Sequence, residues 1–247
     1  MSLYTEKKLN IILVEKYSQS GYLNMKIDEF LFENFEKLAI NPYNSIIFRF
    51  YNFANHTITL GYSQNTVDEN IREEYKKWSF VKRITGGRAV FHYPKKDLTL
   101  CLISSIQTFE KLNINIHKNK IRNIHLFINN CLWDSVYPLL KNNKSKDIKN
   151  VQNKYVKFDC FQNIHDFEKV YNNKKVIGTA IKISDQKFIV QANIKLQYMF
   201  ERISKDIINQ IENNFLRKLI ETENSHFYDS KEFYPLKLFD LFKLISR

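Results

Sequence analysis

The sequence predicts an α/β (α+β) fold: a mixed, largely antiparallel sheet with flanking helices. Three observations carry this. Apolar residues make up 44% of the chain and aromatics 15%, enough for a substantial core. Short apolar runs separated by turn pairs such as Asn172-Asn173 and Asp185-Gln186 read as a meander. Longer stretches carry apolar residues at helical spacing. At 247 residues the chain reads as one domain, 1–247. No apolar run approaches the roughly 20 residues of a membrane span. The N-terminus, MSLYTEKKLNIILVEKY, lacks a signal-like apolar core, so a cytoplasmic protein is expected.

Lys8 to Tyr17 reads as a first strand, broken by Gly21-Tyr22. Asn24 is expected to cap a helix to about Ala39, with Ile27, Phe30, Leu31, Phe35 and Leu38 on its apolar stripe. Asp28 and Glu29 in its first turn suit the macrodipole, and Asn41-Pro42 ends it. Strands follow at Ser45–Tyr51 and Thr57–Tyr62, then a polar helix at Glu69–Trp78. Val81 to Leu102 reads as three short strands around Gly86-Gly87 and Pro94. Lys120 to Trp133 is a helix whose face includes Cys131, and Lys141 to Lys154 a mobile basic loop. The meander comprises Phe167–Tyr171, Lys175–Ser184 and Phe188–Leu196. Ser204 caps a helix to about Glu223, and an amphipathic helix at Leu236–Ile245 closes the chain, so 204–247 reads as C-terminal helices.

The chain holds only 5 glycines, and two adjoin at Gly86-Gly87, after the β-branched Ile84-Thr85. Either a tight hairpin or a backbone cradle beside a ligand fits. Arg83 and Arg88 flank the pair and could hold a carboxylate, a phosphate or a carbonyl oxygen. His92, four residues after Arg88, is either a base or a hydrogen-bonded structural residue. Three widely spaced cysteines exclude a disulfide framework and a zinc ribbon. Cys101 and Cys131 fall on apolar faces. Cys160 lies outside any apolar period, and Lys175 starts a strand whose partner leads back toward it. An ammonium beside a thiol favours the nucleophilic thiolate, and burial of Cys160 as a structural thiol is the alternative. The net charge of +12 is concentrated between Lys111 and Lys157, where ten Lys/Arg face Asp134 and Asp147. That patch suits an acidic partner, although an AT-rich genome would also enrich lysine.

Several segments together resemble one family. RITGGRAVFH resembles the RRxTGGRxVxH motif of the lipoate–biotin ligase superfamily, and closely that of its cysteine-dependent octanoyltransferases. YLNMKIDEFLF resembles the family's N-terminal helix, FRFYNFANHTITLGYSQN its RFYxWxPxTxSxGYxQN segment, DCFQ its CF motif and KKVIGTA its KxxGSAQ. The order is the same, and the resemblance covers about 22–200. It implies that Cys160 takes an octanoyl group from octanoyl-acyl carrier protein as a thioester. Lys175 then supports thiolate and oxyanion, and a lysine of a lipoyl-domain protein, such as glycine-cleavage H protein, receives the group as an amide. Arg83, Gly86, Gly87, Arg88, His92, Gly178, Thr179 and Ala180 would bind substrate, and no cofactor is implied. The chain departs from the pattern at Lys82, Tyr93 and Ile181, and Gln191-Ala192-Asn193 replaces the family's HGS.

The resemblance leaves other readings to weigh. An ATP- and Mg-dependent lipoate–protein ligase shares the implied fold, but the DCF cysteine speaks against it. An octanoyl amidotransferase between lipoyl-domain proteins keeps the thiol. A family member that has lost catalysis would explain Gln191-Ala192-Asn193. An RNA-binding module is disfavoured because the aromatics form no RNP-like pattern, so neither nucleic acid nor membrane is expected as a partner.

Overall fold

The computed structural model describes residues 9–15, 18–112, 114, 119–142, 158–162, 168–220 and 232–236. The strands are β1 (Asn10–Val14), β2 (Ser45–Tyr51), β3 (Thr57–Leu60), β4 (Ser79–Lys82), β5 (Val90–His92), β6 (Leu98–Ser105), β7 (Lys169–Tyr171), β8 (Lys174–Ser184), β9 (Lys187–Ile194) and β10 (Glu232–Leu236). The helices are α1 (Gly21–Glu33), α2 (Phe35–Leu38), α3 (Glu69–Glu74), α4 (Ile106–Lys111), α5 (Lys120–Asn142) and α6 (Lys205–Ile220). One sheet runs β10-β1-β2-β6-β9-β8-β7, and a second, smaller one runs β4-β3-β5. From β2 to β7 every pairing in the large sheet is antiparallel, whereas β1 pairs in parallel with both β2 and β10.

The layers follow from strand alternation. Ile46, Phe48 and Phe50 of β2 face one side of the large sheet, with Leu98, Leu100 and Leu102 of β6. They bury Phe109 of α4, Ile124, Ile128 and Leu132 of α5, and Ile211 and Phe215 of α6. Ile47 and Tyr51 of β2 and Cys101 and Ile103 of β6 face the other side, against Ile27, Leu31 and Phe35 of α1 and α2. The small sheet has its own core of Ile58, Leu60, Val67, Ala89 and Phe91.

The meander matches expectation. Asn172 and Asn173, both at positive φ (48° and 59°), close the two-residue β7–β8 turn, as the right-handed twist of the strands requires. Ser204 Oγ accepts from the Ile207 N–H at the start of α6. Several expectations change. Ser20, not Asn24, caps α1: its Oγ accepts from the Leu23 N–H, so Gly21-Tyr22 begins the helix instead of breaking the chain. Asn24 is buried inside α1 and donates through Nδ2 to the carbonyls of Gln19 and Asn52. Asp28 sits beyond the first turn and is buried against Arg49. Gly86-Gly87 is no hairpin turn, because β4 and β5 do not pair with each other; both flank β3, β4 in parallel and β5 antiparallel. The α5 helix continues through Pro138 to Asn142, since Val136, Leu139 and Leu140 are buried in the helical layer.

Leu236, expected to open a closing helix, instead ends β10. The remainder of that helix and nearly all of the expected basic loop lie outside the described residues.

Candidate active site

A cavity of about 240 Å³ lies between the two sheets. Its walls include Gly178–Ala180 of β8 and Gln191–Asn193 of β9 on one side, with Gly86, Gly87 and His92 on the other. This is smaller than pockets for drug-sized ligands, at roughly 300–1,000 Å³, and suits one slender chain.

Cys160 opens a single 3-10 turn, Cys160–Gln162, and is half-buried at this cavity. Its N–H donates to the Ala89 carbonyl at 2.8 Å, and Asp159 bridges Ala89 in parallel register. The cysteine is thereby tied to the strand that follows the glycine pair. Asp159 Oδ1 accepts from the Phe161 N–H at 3.0 Å, and burial raises the Asp159 carboxyl above its ordinary range. The other two thiols are core residues: burial pushes Cys101 well up and Cys131 up to about 12. Neither lines the cavity.

Lys175, the second residue of β8, is only 2% exposed. Its Nζ lies 3.7 Å from Cys160 Sγ, donates to the Cys160 carbonyl at 3.1 Å and pairs with Glu168 Oε1 at 2.5 Å. Gly178 makes this possible. A Cβ there would stand 2.9 Å from Lys175 Cε and 3.2 Å from Phe161 Cζ.

Arg83 does not present a free guanidinium to the cavity. It donates to the Thr59 carbonyl at 3.0 Å and to the Gly86 and Arg88 carbonyls at 2.7 Å each, clamping the glycine loop from inside. Burial holds it down to about 10. Gly87 takes φ +89°, and a Cβ on Gly61 would fall 1.8 Å from the Gly87 carbonyl oxygen, so the end of β3 and the loop are in backbone contact. Gly86 faces open space: a Cβ there meets no protein atom within 4 Å. Arg88 is exposed and does not line the cavity; its carbonyl serves the clamp.

His92 is 3% exposed and stacks on Phe53 with ring centroids 3.9 Å apart. Its Nε2 contacts Thr59 Oγ1 at 3.0 Å and its Nδ1 contacts Asn193 Nδ2 at 3.1 Å, with Asp97 Oδ2 at 3.3 Å. Burial lowers the imidazole to about 4, outweighing Asp97, so it is neutral near pH 7. With both nitrogens engaged, His92 braces the wall between β5 and β9.

Gln191 and Asn193, which stand where the resemblance expects HGS, also brace this wall. Gln191 donates to Asp28 Oδ2 at 2.6 Å and accepts from Thr85 Oγ1 at 2.7 Å, joining α1 to the segment before the glycines. Asn193 also donates to Asp97 Oδ2 and Thr99 Oγ1. Thr179 Oγ1 is held by His125 Nδ1 and Asn129 Nδ2 of α5. Sequence reasoning singled out neither Glu168 nor His125, both of which line the cavity. Glu168 has no distinguishing sequence signal, since Asp166 stands two positions before it.

This two-sheet architecture is that of lipoate ligases. A lipoate-protein ligase A solved with ATP aligns over 93% of this chain and 89% of its own (TM-score 0.58, 16% identity). A bipartite lipoate protein ligase of Thermoplasma acidophilum aligns over 93% and 87% (TM-score 0.58, 14% identity). The chain belongs to the lipoyl protein ligase A/B catalytic domain family, whose profile matches residues 20–220. Among named relatives, the octanoyltransferase LipM of Clostridioides difficile is 24% identical over 199 residues, 78% of this chain and 68% of that protein. LipM of Carboxydothermus hydrogenoformans is 38% identical over 96 residues, 38% of this chain and 34% of that protein. LipM of Bacillus subtilis is 28% identical over 172 residues, 68% of this chain and 58% of that protein. The chain thus spans between about a third and two thirds of the length of these relatives.

Proposed function

We propose that this protein is an octanoyltransferase of protein lipoylation. It moves an octanoyl group from octanoyl-acyl carrier protein, through a thioester on Cys160, to a lysine of a lipoyl-domain protein such as glycine-cleavage H protein. The observation that carries this reading is the 3.7 Å approach of the Lys175 ammonium to Cys160 Sγ beside a narrow cavity between the sheets.

The chemistry proceeds in two steps. In the first, Cys160 attacks the donor's thioester carbonyl and the donor leaves as a thiol. In the second, the acceptor amine attacks the new thioester and the cysteine leaves. The ammonium faces the sulfur, where it balances the charge of an attacking thiolate and of the oxyanion that follows. Exchange between thioesters is near balance and amide formation is downhill, so neither ATP nor metal is required. The family relationship to LipM supports octanoyl transfer, and the T. acidophilum ligase, described with its E2 lipoyl domain, supports a lipoyl-domain acceptor. We assign the chemistry to one catalytic domain acting in the cytoplasm. Among the described residues no helix is long and apolar enough to cross a membrane.

Intact mass after incubation with octanoyl-carrier protein tests the assignment. A hydroxylamine-labile octanoyl adduct is expected, and Cys160→Ala is expected to abolish it. An adduct that survives the substitution overturns the assignment. Acylation from free octanoate that needs ATP and not Cys160 would select a ligase instead.

A further inference from the structure

Aminolysis of the acyl-enzyme poses a proton problem that Cys160 and Lys175 alone leave open. As the acceptor nitrogen bonds to the thioester carbonyl carbon, it carries a surplus proton. The sulfur leaves with the C–S electron pair and needs one. Lys175 stands close enough to supply the sulfur, but must then recover a proton. A lysine ammonium has three N–H groups. Here they have three targets: the Cys160 carbonyl at 3.1 Å, Cys160 Sγ at 3.7 Å and Glu168 Oε1 at 2.5 Å.

Glu168 is placed by the β7–β8 hairpin. It immediately precedes β7; Val170 is the register partner of Lys175, and Glu168 reaches the lysine through its side chain. Its side chain is 3% exposed and lines the cavity with Cys160. The other titratable groups lining the cavity are each tied to the protein. Both nitrogens of His92 are engaged with the protein, Arg83 has no basic lone pair, and His125 Nδ1 is fixed on Thr179.

We propose that Glu168 and Lys175 form a relay that carries a proton from the acceptor amine to the sulfur of Cys160. This rests on the octanoyl-transfer reading above. As the C–N bond forms, the Glu168 carboxylate takes the surplus proton from nitrogen. As the C–S bond breaks, Lys175 gives a proton to sulfur. Glu168 then passes its proton to the neutral lysine amine across their direct contact. One proton has moved from nitrogen to sulfur, and the carboxylate and ammonium are restored. Run in the other sense, the same relay delivers the Cys160 thiol proton to the donor's leaving thiolate during acylation.

The test starts from enzyme acylated with octanoyl-N-acetylcysteamine and follows loss of the adduct by intact mass. Glu168→Gln still accepts a hydrogen bond from Lys175 but cannot take a proton. Its transfer to an apo lipoyl domain is expected to fall roughly a hundredfold, the scale of one lost acid–base group. Cleavage by hydroxylamine, whose adduct nitrogen is acidic enough to give its proton to water, is expected to stay near wild type. Glu168→Asp, which keeps the carboxylate, is expected to recover transfer to within about tenfold of wild type. If Glu168→Gln slows both nucleophiles equally or neither, or if Glu168→Asp is as slow as Glu168→Gln, the relay is overturned while octanoyl transfer stands. A wild-type protein that forms no Cys160 adduct overturns both.

Discussion

Replacing Asp28 by asparagine is expected to cost a large fraction of the protein's stability. Asp28 is fully buried and receives three hydrogen bonds. Oδ1 accepts from Arg49 Nε at 2.9 Å; Oδ2 accepts from Tyr51 Oη at 2.7 Å and Gln191 Nε2 at 2.6 Å. In Asp28→Asn one of those oxygens becomes an NH2 group that faces a donor whichever way the amide turns. Arg49, itself 0% exposed, loses its counter-charge. Stranding one member of a buried ion pair costs about 3–5 kcal/mol, against a total stability of roughly 5–15 kcal/mol. With a urea m-value of about 1–3 kcal/mol/M, the midpoint should drop by roughly 1–2 M or more at unchanged m. The double variant Asp28→Leu/Arg49→Met removes both charges and is expected to be more stable than Asp28→Asn. Urea melts of the three proteins decide the matter. A midpoint shift below about 0.3 M for Asp28→Asn, or a double variant weaker than the single, would refute the account of the pair as a desolvated unit.

Two further outcomes follow from the site. Gly178→Ala puts a Cβ 2.9 Å from Lys175 Cε, the middle of a flexible side chain, so the fold should survive while Nζ is pushed off the sulfur. Acyl-adduct formation is expected to slow by roughly tenfold to a hundredfold with little change in melting temperature; a wild-type rate contradicts the positioning role. The second concerns pH. Burial holds His92 at about 4 in the folded protein, below its ordinary 6.5, with Asp97 pulling it up and Lys195 and Arg83 pushing it down. Its folded value is depressed, so its contribution is complete above about pH 6.5 and is lost as pH falls toward 4, by about 3 kcal/mol in all. Chemical denaturation of His92→Gln between pH 4 and 7 should lack that slope; an unchanged slope would assign it elsewhere. Asp97, which Lys195 and His92 hold low despite its burial, acts in the same sense at still lower pH.

The meander and the apolar helical faces were legible because each depends on local chemistry, whereas the pairing of Cys160 with Lys175 was legible only through the family resemblance. Turn pairs of asparagine accept positive φ, helical stripes repeat, and a thiol outside any apolar period stands apart. What stayed hidden was set by contacts between distant segments. Asp28 looks like a helix-dipole residue until Arg49, from a different element, is brought against it. Gly86-Gly87 looks like a hairpin because adjacent strands usually pair; here β3, earlier in the chain, inserts between β4 and β5. Arg83 and Arg88 look alike in sequence, yet one is a buried clamp and the other is exposed, a difference made by the path of the loop. Glu168 carries no local sequence signal that reveals its partner.

The two edges of the large sheet are protected by different means. Beyond β1, whose NIILV sequence alone would offer an open apolar template, lies β10, and Pro235 stands there opposite Leu13. A proline cannot donate to a further strand, so lateral growth of the sheet is interrupted at that border. At the opposite border β7 is only three residues long and begins with Lys169. A short, charged border next to Cys160 leaves little backbone for another chain to zip onto. A lipoyl-domain acceptor reaching Cys160 past this border would therefore be recognised through side chains and would remain free to leave after each turnover.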